Sequence, residues 1–285
     1  MSDGRLIVCA TPIGNLGDVT LRVLEALKTV DVIEAEDTRV TRKLLARFKI
    51  ATPLEPYHAK NLERRTPEVV ARVRSGQSVA LVSDAGTPGI SDPGAHLVDA
   101  CIDEGLTVEV LPGASAIVTA LVASGLPTHA FYFGGFLPRK VGERRRALEK
   151  LAGLEATLVF YESPRRAAST LAGIAEVMPD RRAAVARELT KLHEEVIRDD
   201  VGALAGTIAQ REIKGEVVLL VGPPDRSTTA APAPDPAALR RQVDALVVGG
   251  MSRKDAVRAV SDRTGVARNE VYDAAVGAAT EPNGR

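Results

Sequence analysis

Short apolar runs alternate with amphipathic segments from residue 5 to residue 222, and this alternation restricts the chain to one class of architecture. Arg5–Ala10 and Val79–Val82 have the length and apolar character of buried strands. Between them, Leu21, Leu24 and Leu27 recur at helical spacing. Strands that alternate with helices form mainly parallel sheets with helices packed on them, so the pattern predicts an α/β fold.

The chain after Pro112 repeats the alternation with one difference. Strands are expected at Ala130–Phe136, Ala156–Tyr161, Ala183–Glu188, Glu194–Arg198 and Glu216–Val221, and helices at Arg144–Leu151, Pro164–Val177 and Val201–Gln210. The strands after Arg187 have little helix between them, which favours an antiparallel portion in this half. We therefore predict two α/β domains, residues 1–112 and 113–222.

Composition changes after the second domain. Residues 223–235 are rich in Pro, Ala, Ser and Thr, which predicts a linker of extended character. Residues 236–285 carry three helical patterns joined by short turns that contain glycine. This outline is typical of a helix-turn-helix, so we predict a small all-helical segment at this end.

Capping chemistry marks several helix ends. The pairs Thr66–Pro67 and Asp235–Pro236 have the residues of an N-cap followed by a first helical position. Gly249 is suited to end the helix that the second pair begins, and Ser252 with Asp255 resembles a capping box. We therefore predict helices that begin at each of these three places.

Overall composition limits the class of protein. Lys and Arg total 37, as do Asp and Glu, so the molecule lacks the basic footprint of a non-specific nucleic-acid binder. Cys9 and Cys101 lie in apolar runs without metal-ligand spacing, which predicts reduced thiols and no metal site. The sequence has neither a signal-peptide pattern nor a long apolar stretch, so we expect a cytoplasmic protein with no membrane partner.

The loop Ser83–Gly94, SDAGTPGISDPG, gives the strongest indication of ligand contact. It lies between a predicted strand and a predicted helix and holds three glycines, two prolines and two aspartates. Prolines restrict φ, and glycines permit positive φ and a close approach to the backbone. The alternative is ordinary helix-entry chemistry, with Asp92 as N-cap and Pro93 as first helical residue. The loop lacks the glycine spacing of the common nucleotide-binding motifs.

Six stretches, in this order and spacing, resemble the tetrapyrrole-methylase-like S-adenosylmethionine-dependent methyltransferases. They are TPIGNLGDVTLRVLEAL, IEAEDTRVTRKLL, LVSDAGTPGISDPG, LPGASA, FGGFLPRK and FYESPRR. Within that family they are similar to the branch that methylates the ribose 2′-hydroxyl of a decoding-region cytidine in 16S rRNA. The resemblance implies two α/β domains with S-adenosylmethionine in the cleft between them, and 16S rRNA or the small ribosomal subunit as partner. Because the family is often dimeric, a homodimer is one expected state.

The resemblance also implies which residues contact the cofactor. These are Pro12 after the first strand, Ala85, Gly86, Thr87 and Ile90 in the glycine-rich loop, Ser115 and Ala116 after Pro112, and Glu162, Leu189, Glu216 and Val217 in the second domain. Thr87 stands where the tetrapyrrole branch has Asp, and this departure favours the RNA branch.

Methylation of a ribose hydroxyl benefits from a base, because the hydroxyl is a poor nucleophile until its proton is drawn off. Asp37 directly follows the second strand, His58 lies in an irregular polar stretch, and Glu188 lies at a strand end near Lys191. Each has a second interpretation. Asp37 caps a helix, His58 is a solvated loop residue, and Glu188 forms a surface ion pair with Lys191.

Positive charge is concentrated in two patches that are expected to meet RNA phosphates. The first contains Arg139, Lys140, Arg144, Arg145 and Arg146, and the second contains Arg165 and Arg166. A solvated helix face is the usual explanation of such a run, but a glycine-rich loop directly precedes the first patch. Phe131, Tyr132 and Phe136 have strand-like spacing, so we expect them in the core.

Two other functions fit parts of the pattern. One is a methyltransferase that acts on a tetrapyrrole, which Thr87, the arginine cluster and the helical segment disfavour. The other is a cofactor-sensing RNA-binding module without turnover, which remains open because no base is certain.

Overall fold

The computed structural model describes residues 4–224 and 235–276, and the first of these ranges contains two five-stranded sheets. The chain divides into two units, Met1–Pro224 and Asp225–Arg285. Most of the predicted linker, and residues 277–285 of the predicted helical segment, lie outside the described residues. None of the helices in the described ranges is long and apolar enough to cross a membrane.

The first sheet is entirely parallel, with the strand order β3-β2-β4-β1-β5. Its strands are β1 Arg5–Cys9, β2 Val32–Ala35, β3 Leu54–Pro56, β4 Ser78–Val82 and β5 Thr107–Leu111. Its helices are α1 Leu21–Thr29, α2 Thr38–Arg47, α3 Leu62–Arg74 and α4 Gly94–Asp103. Because every pair is parallel, the carboxyl ends of all five strands meet at one edge, where the loops that follow them gather.

Both faces of this sheet are buried, as the continuous apolar runs require. Along β1, Ile7 and Cys9 pack with the residues of α1 and α2, whereas Leu6 and Val8 pack with those of α3 and α4. Cys9 and Cys101 are free buried thiols. Burial raises the pKa of Cys9 to about 12 and that of Cys101 to about 11, so both stay protonated at neutral pH.

The second sheet has the order β6-β7-β10-β8-β9, and only its β6–β7 pair is parallel, which confirms the predicted antiparallel portion. Its strands are β6 Phe131–Phe136, β7 Thr157–Glu162, β8 Arg182–Arg187, β9 Glu195–Asp200 and β10 Val217–Val221. Its helices are α5 Ala116–Ser124, α6 Val141–Leu151, α7 Pro164–Val177 and α8 Val201–Ala209. Helices α6, α7 and α8 cover one face, and α5 covers the other.

The loop after β1 joins the two halves. Ile13 is 6% exposed and packs in the same cluster as Ile117 of α5 and Leu189, beside the second sheet. This contact places the carboxyl edge of the first sheet against the second sheet.

One expectation about local structure is wrong, and one strand was not expected. Helix α3 begins at Leu62, so Pro67 lies inside it instead of opening it. Asn61 precedes this start, and its Oδ1 accepts a hydrogen bond from the His58 amide at 2.8 Å in the turn before the helix. Strand β3 was not expected, since it is only three residues long and ends at Pro56, on the sheet edge where proline is tolerated.

The aromatic residues of β6 also differ from expectation. Phe131, Tyr132 and Phe136 are 47%, 42% and 58% exposed, not buried in the core. The reason is that β6 is an edge strand, paired only with β7.

The second unit contains α9 Pro236–Val248, α10 Arg253–Thr264 and α11 Arg268–Val276. Its starts agree with the predicted caps, because Asp235 Oδ1 accepts the Ala237 amide at 3.0 Å and Ser252 Oγ accepts the Asp255 amide at 3.2 Å. The three helices share a core that includes Val243. This unit therefore has an apolar interior of its own.

Candidate functional site

A cleft of about 360 Å³ opens between the loops at the carboxyl edge of the first sheet and the second sheet. The first wall comes from the loops after β1 and β4 and from the start of α5, and the second wall comes from β7, β8 and β10 and the loops beside them. The lining residues are Ile13, Ala85, Gly86, Thr87, Ile90, Ser115, Ala116, Ile117, Phe136, Tyr161, Glu162, Ser163, Pro164, Ala186, Leu189, Gly215, Glu216, Val217 and Val218.

The glycine-rich loop is held by its own backbone and by Asp92. Gly86 has a φ of +79° and exchanges two backbone hydrogen bonds with Thr11, 2.9 and 3.0 Å long. Asp92 Oδ1 accepts the amides of Gly89 and Gly94, at 2.7 and 2.8 Å. Asp92 therefore braces the loop that it belongs to.

Carboxylates join the loops after β2 and β4. Asp84 Oδ1 accepts the Asp37 amide at 3.0 Å, and the Asp84 amide donates to Glu36 Oε2 at 3.4 Å. Burial, which outweighs these hydrogen bonds, raises the pKa of both the Glu36 and the Asp84 carboxyls. The loop that carries Ala85 and Gly86 is thus attached to the neighbouring strand by a pair of partly desolvated acids.

Glu162 lies at the end of β7 with its side chain 1% exposed. Its Oε1 accepts the Ser163 amide at 2.7 Å, and its Oε2 accepts the Thr170 hydroxyl at 2.7 Å. The Arg166 guanidinium lies 3.3 Å from the same Oε2 and also donates to the Leu137 carbonyl at 3.0 Å. These bonds make the carboxylate a fixed part of the cleft wall.

A second set of charges borders the cleft beside β10. Lys191 Nζ lies 2.9 Å from Glu188 Oε1 and 3.1 Å from Glu216 Oε2. Glu188 Oε1 also accepts the Glu216 amide at 3.1 Å. Glu188, Thr190 and Gly215 all have positive φ values, of 50°, 64° and 84°. Conformations of this kind concentrate at ligand sites.

The cleft also offers polar groups that lack a partner. The side-chain hydroxyls of Thr87 and Ser115 form no hydrogen bond with any described residue. Ser115 is the N-cap residue of α5, and the absence of a side-chain cap leaves the first amides of this helix available to an anion. The donors and the apolar wall together suit an amphipathic ligand with a carboxylate.

The predicted cofactor residues lie together in this cleft. All of them except Pro12 line it. The lining residues that the sequence did not point to are Ile13, Ile117, Phe136, Tyr161, Ser163, Pro164, Ala186, Gly215 and Val218. Several directly adjoin predicted positions, so extending each motif by one residue would have found them. To predict Phe136 as a lining residue, one would have to know that its strand lies at the edge of the sheet.

The three predicted bases are not among the lining residues. Asp37 caps α2 and forms an ion pair with Arg39 at 2.6 Å. The hydrogen bond from Arg39 lowers the pKa of Asp37 to about 2, so this carboxylate is a weak base and its position supports the capping role. His58 lies between β3 and α3, and no described residue forms a hydrogen bond with its buried Nδ1. Glu188 is connected to the cleft lining, because its Oε1 accepts a hydrogen bond from the amide of Glu216, which is a lining residue.

The predicted RNA-binding patches divide into buried and exposed members. Arg144 is 6% exposed, and its guanidinium donates a hydrogen bond to the Ser169 carbonyl at 3.4 Å. Arg166 forms the ion pair with Glu162 that is described above. Burial contradicts an RNA-binding role for Arg144, because its guanidinium packs beneath α7. The exposed members are Arg139, Lys140, Arg145, Arg146 and Arg165.

Comparison with known proteins decides the family. The family model for Tetrapyrrole (Corrin/Porphyrin) Methylases matches residues 5–205. A ribosomal RNA small subunit methyltransferase I from Synechocystis sp. is 43% identical over 273 residues, which are 94% of this chain and 96% of that relative. The protein of the same name from Bacillus subtilis is 41% identical, over 95% of this chain and 94% of its own.

The chain belongs to the ribosomal RNA small subunit methyltransferase I family. This membership confirms the resemblance found in the six sequence stretches.

Solved structures show the same fold at lower identity. The uroporphyrin-III-C-methyltransferase of Thermus thermophilus has a TM-score of 0.56 and 24% identity, and covers 77% of this chain and 94% of that one. Cobalt precorrin-4 methyltransferase has a TM-score of 0.59 and 20% identity, over 76% of this chain and 94% of its own. This chain thus shares its fold with these two methyltransferases.

Proposed function

We propose that the chain transfers the methyl group of S-adenosylmethionine to the ribose 2′-hydroxyl of a decoding-region cytidine in 16S rRNA. The observation that carries this proposal is the cleft of about 360 Å³ in a chain 43% identical to a ribosomal RNA small subunit methyltransferase I. A cavity of this size is typical of cofactor sites.

The residues of the cleft fit S-adenosylmethionine. The free amides at the start of α5 and the Ser115 and Thr87 hydroxyls suit the carboxylate and other polar groups of its methionine part. Leu189 and Val217 would hold the adenosine part through apolar contacts, beside the carboxylate of Glu216. Ala85, Gly86, Ile90, Ala116 and Glu162 complete this proposed set. Pro12 follows Thr11, which holds Gly86 in place.

When bound, S-adenosylmethionine supplies a methyl group on a sulfonium, which is a good leaving group. The chain then has to hold the acceptor hydroxyl in line and exclude water. Ile90 and Phe136 are 46% and 58% exposed at the cleft, so they are available to cover a bound substrate. Of the three candidate bases we retain Glu188, because its contact with Glu216 connects it to the lining.

The test is methyl transfer from radiolabelled S-adenosylmethionine. The protein is incubated with small ribosomal subunits, with naked 16S rRNA or with uroporphyrinogen III. We expect label in the RNA, in a dinucleotide that resists alkaline hydrolysis because its 2′-oxygen is methylated. Label on a base or on the tetrapyrrole would refute the proposal. Intact cofactor binding without any transfer would favour the cofactor-sensing module.

We also propose a cytoplasmic homodimer. Its support is an exposed apolar strip on α5, where Val118 and Val122 are 53% and 68% exposed one helical turn apart. Apolar side chains exposed side by side on one helix suit contact with a second copy. Sedimentation of the purified protein measures the state directly, and a monomer at micromolar concentration would exclude the dimer.

A further inference from the structure

A second groove, of about 440 Å³, lies between the edge strand β6 and helix α6. Tyr132, Gly134 and Phe136 line it from the strand, and Arg146 and Lys150 line it from the helix. Phe136 also lines the cofactor cleft, so the groove and the cleft adjoin at this residue.

The strand side of the groove presents aromatic surface. Tyr132 is 42% exposed, and neither its ring nor its hydroxyl has a partner among the described residues. Gly134 lets the strand lie close to the Phe160 ring, because a Cβ at this position would be 2.5 Å from that ring. The groove can therefore admit a flat group against Tyr132.

The helix side presents uncompensated positive charge. Arg146 and Lys150 are exposed, stand four residues apart on one face of α6, and form no ion pair with any described residue. The neighbouring cations differ, since Arg145 pairs with Glu149 at 3.0 Å and Lys140 pairs with Glu143 at 3.1 Å. Glu143 is the carboxylate in the groove lining, and Lys140 already neutralises it.

An aromatic ring facing two free cations matches one nucleotide of a single strand. Bases stack on aromatic side chains, and the phosphates beside them are neutralised by Lys and Arg. We propose that the groove binds the nucleotide that adjoins the target cytidine, with its base on Tyr132 and its phosphate beside Arg146 and Lys150. This inference rests on the function proposed above.

Matched variants test the two halves of the groove. Tyr132→Leu removes the aromatic face and Tyr132→Phe keeps it. The double variant Arg146→Gln/Lys150→Gln removes the free charges, and Arg64→Gln removes an exposed charge of α3 that is already paired with Glu68 at 2.8 Å. We expect Tyr132→Leu and the double variant each to raise KM for small subunits by about tenfold, while both controls stay near the unchanged protein.

Two further measurements separate binding from folding. The affinity for S-adenosylmethionine should be unchanged in all four variants. The double variant should also lower the salt dependence of RNA affinity, as the slope of log Kd against log salt, by about 0.7 for each charge lost. Unchanged KM, equal loss of cofactor affinity, or dissociation of a dimer with unaltered RNA affinity would each overturn the proposal.

Fluorescence anisotropy of a labelled single-stranded RNA that contains the target cytidine measures RNA binding to the groove without methyl transfer. Binding that depends on Tyr132 and the two cations, in a protein that transfers no methyl group, would refute the proposed function and leave the groove standing. Methyl transfer together with an RNA affinity that the variants leave unchanged would support the proposed function and refute the groove proposal.

Discussion

Thr11 and Gly86 exchange backbone hydrogen bonds in both directions across an isolated antiparallel bridge. The two residues follow β1 and β4, which are neighbours in the first sheet. The bridge therefore fixes the loop that forms one wall of the cleft without using any side chain of that loop. The left-handed conformation of Gly86 is what permits it.

Gly86→Ala should weaken S-adenosylmethionine binding by about tenfold and cost about 1 kcal/mol of stability. The added Cβ would have ordinary contacts, 3.7 Å from Ile13 Cγ2, so the cost comes from the φ of +79°. Gly105→Ala is the control, because Gly105 has a φ of +66° in open space between α4 and β5. Calorimetric titration should show lost affinity only for Gly86→Ala. Equal losses would mean that backbone strain acts through global stability.

Asp92→Ala should loosen the glycine-rich loop and weaken cofactor binding. The substitution leaves the amides of Gly89 and Gly94 without the oxygen that now accepts both. Asp92→Asn keeps a side-chain carbonyl at the same position, so we expect it to restore most of the affinity. Equal loss in the two variants would show that the negative charge of Asp92 matters, which is the expectation for direct ligand contact.

Glu188→Gln should destabilise the protein in a pH-dependent way. The hydrogen bond from Lys191 holds the pKa of the Glu188 carboxyl below its ordinary value of 4.5. The ionised carboxylate therefore adds stability that is complete above about pH 4.5 and is lost as pH falls through the folded-state pKa. We expect a loss of about 1 kcal/mol at pH 7, which shrinks toward pH 3.

The control for that experiment is Glu212→Gln. Glu212 pairs with Lys214, but both side chains are more than 70% exposed, so denaturant titration should show almost no change. Loss of turnover by Glu188→Gln at unchanged cofactor affinity would identify Glu188 as the base.

Arg166→Gln should lower the melting temperature, whereas Arg165→Gln should not. Arg166 supports the buried Glu162 carboxylate and two carbonyls of the loop after β6. Its removal leaves that carboxylate without a cation, at a cost of about 3 kcal/mol. Arg165 is exposed, and no described residue pairs with it. If instead Arg165→Gln alone weakens RNA binding, the second basic patch is confirmed through that residue only.

Truncation after Pro224 should leave the cofactor cleft intact and reduce methylation of small subunits. Every lining residue of the cleft belongs to the first unit, and that unit has its own cores. Circular dichroism and cofactor titration should match those of the full chain. Full methylation by the truncated protein would show that the helical unit has no part in RNA recognition.

The sequence predicted those elements whose signals are local. Helix α7 has both predicted ends, Pro164 and Val177, because proline at the first helical position and the apolar spacing lie within the segment itself. Strand β3 was missed because three residues that end in Pro56 carry no periodicity. The exposure of Phe136 depends on strand order, which no local pattern contains.

In the candidate site, too, the residues with local sequence signals were predicted and the others were not. The loop Ser83–Gly94 could be recognised because its glycines and prolines are consecutive. The role of Arg144 could not, since it depends on which neighbour its side chain reaches after folding. For Asp37 the sequence offered both a catalytic and a capping role, and only its folded position beside Arg39 favours the second. A charge run indicates density of charge, and it does not distinguish a guanidinium beneath a helix from one in water.

The strand order of the two sheets has a consequence for synthesis on the ribosome. β1 pairs with β4 and β5 but not with β2, so the first strand to emerge has no partner until residue 78 has left the exit tunnel. β10, the last strand among the described residues, is central in its sheet and carries Val217 and Val218 of the cleft. A nascent chain that ends before Val217 therefore lacks these two residues of the cleft and the central strand of its second sheet.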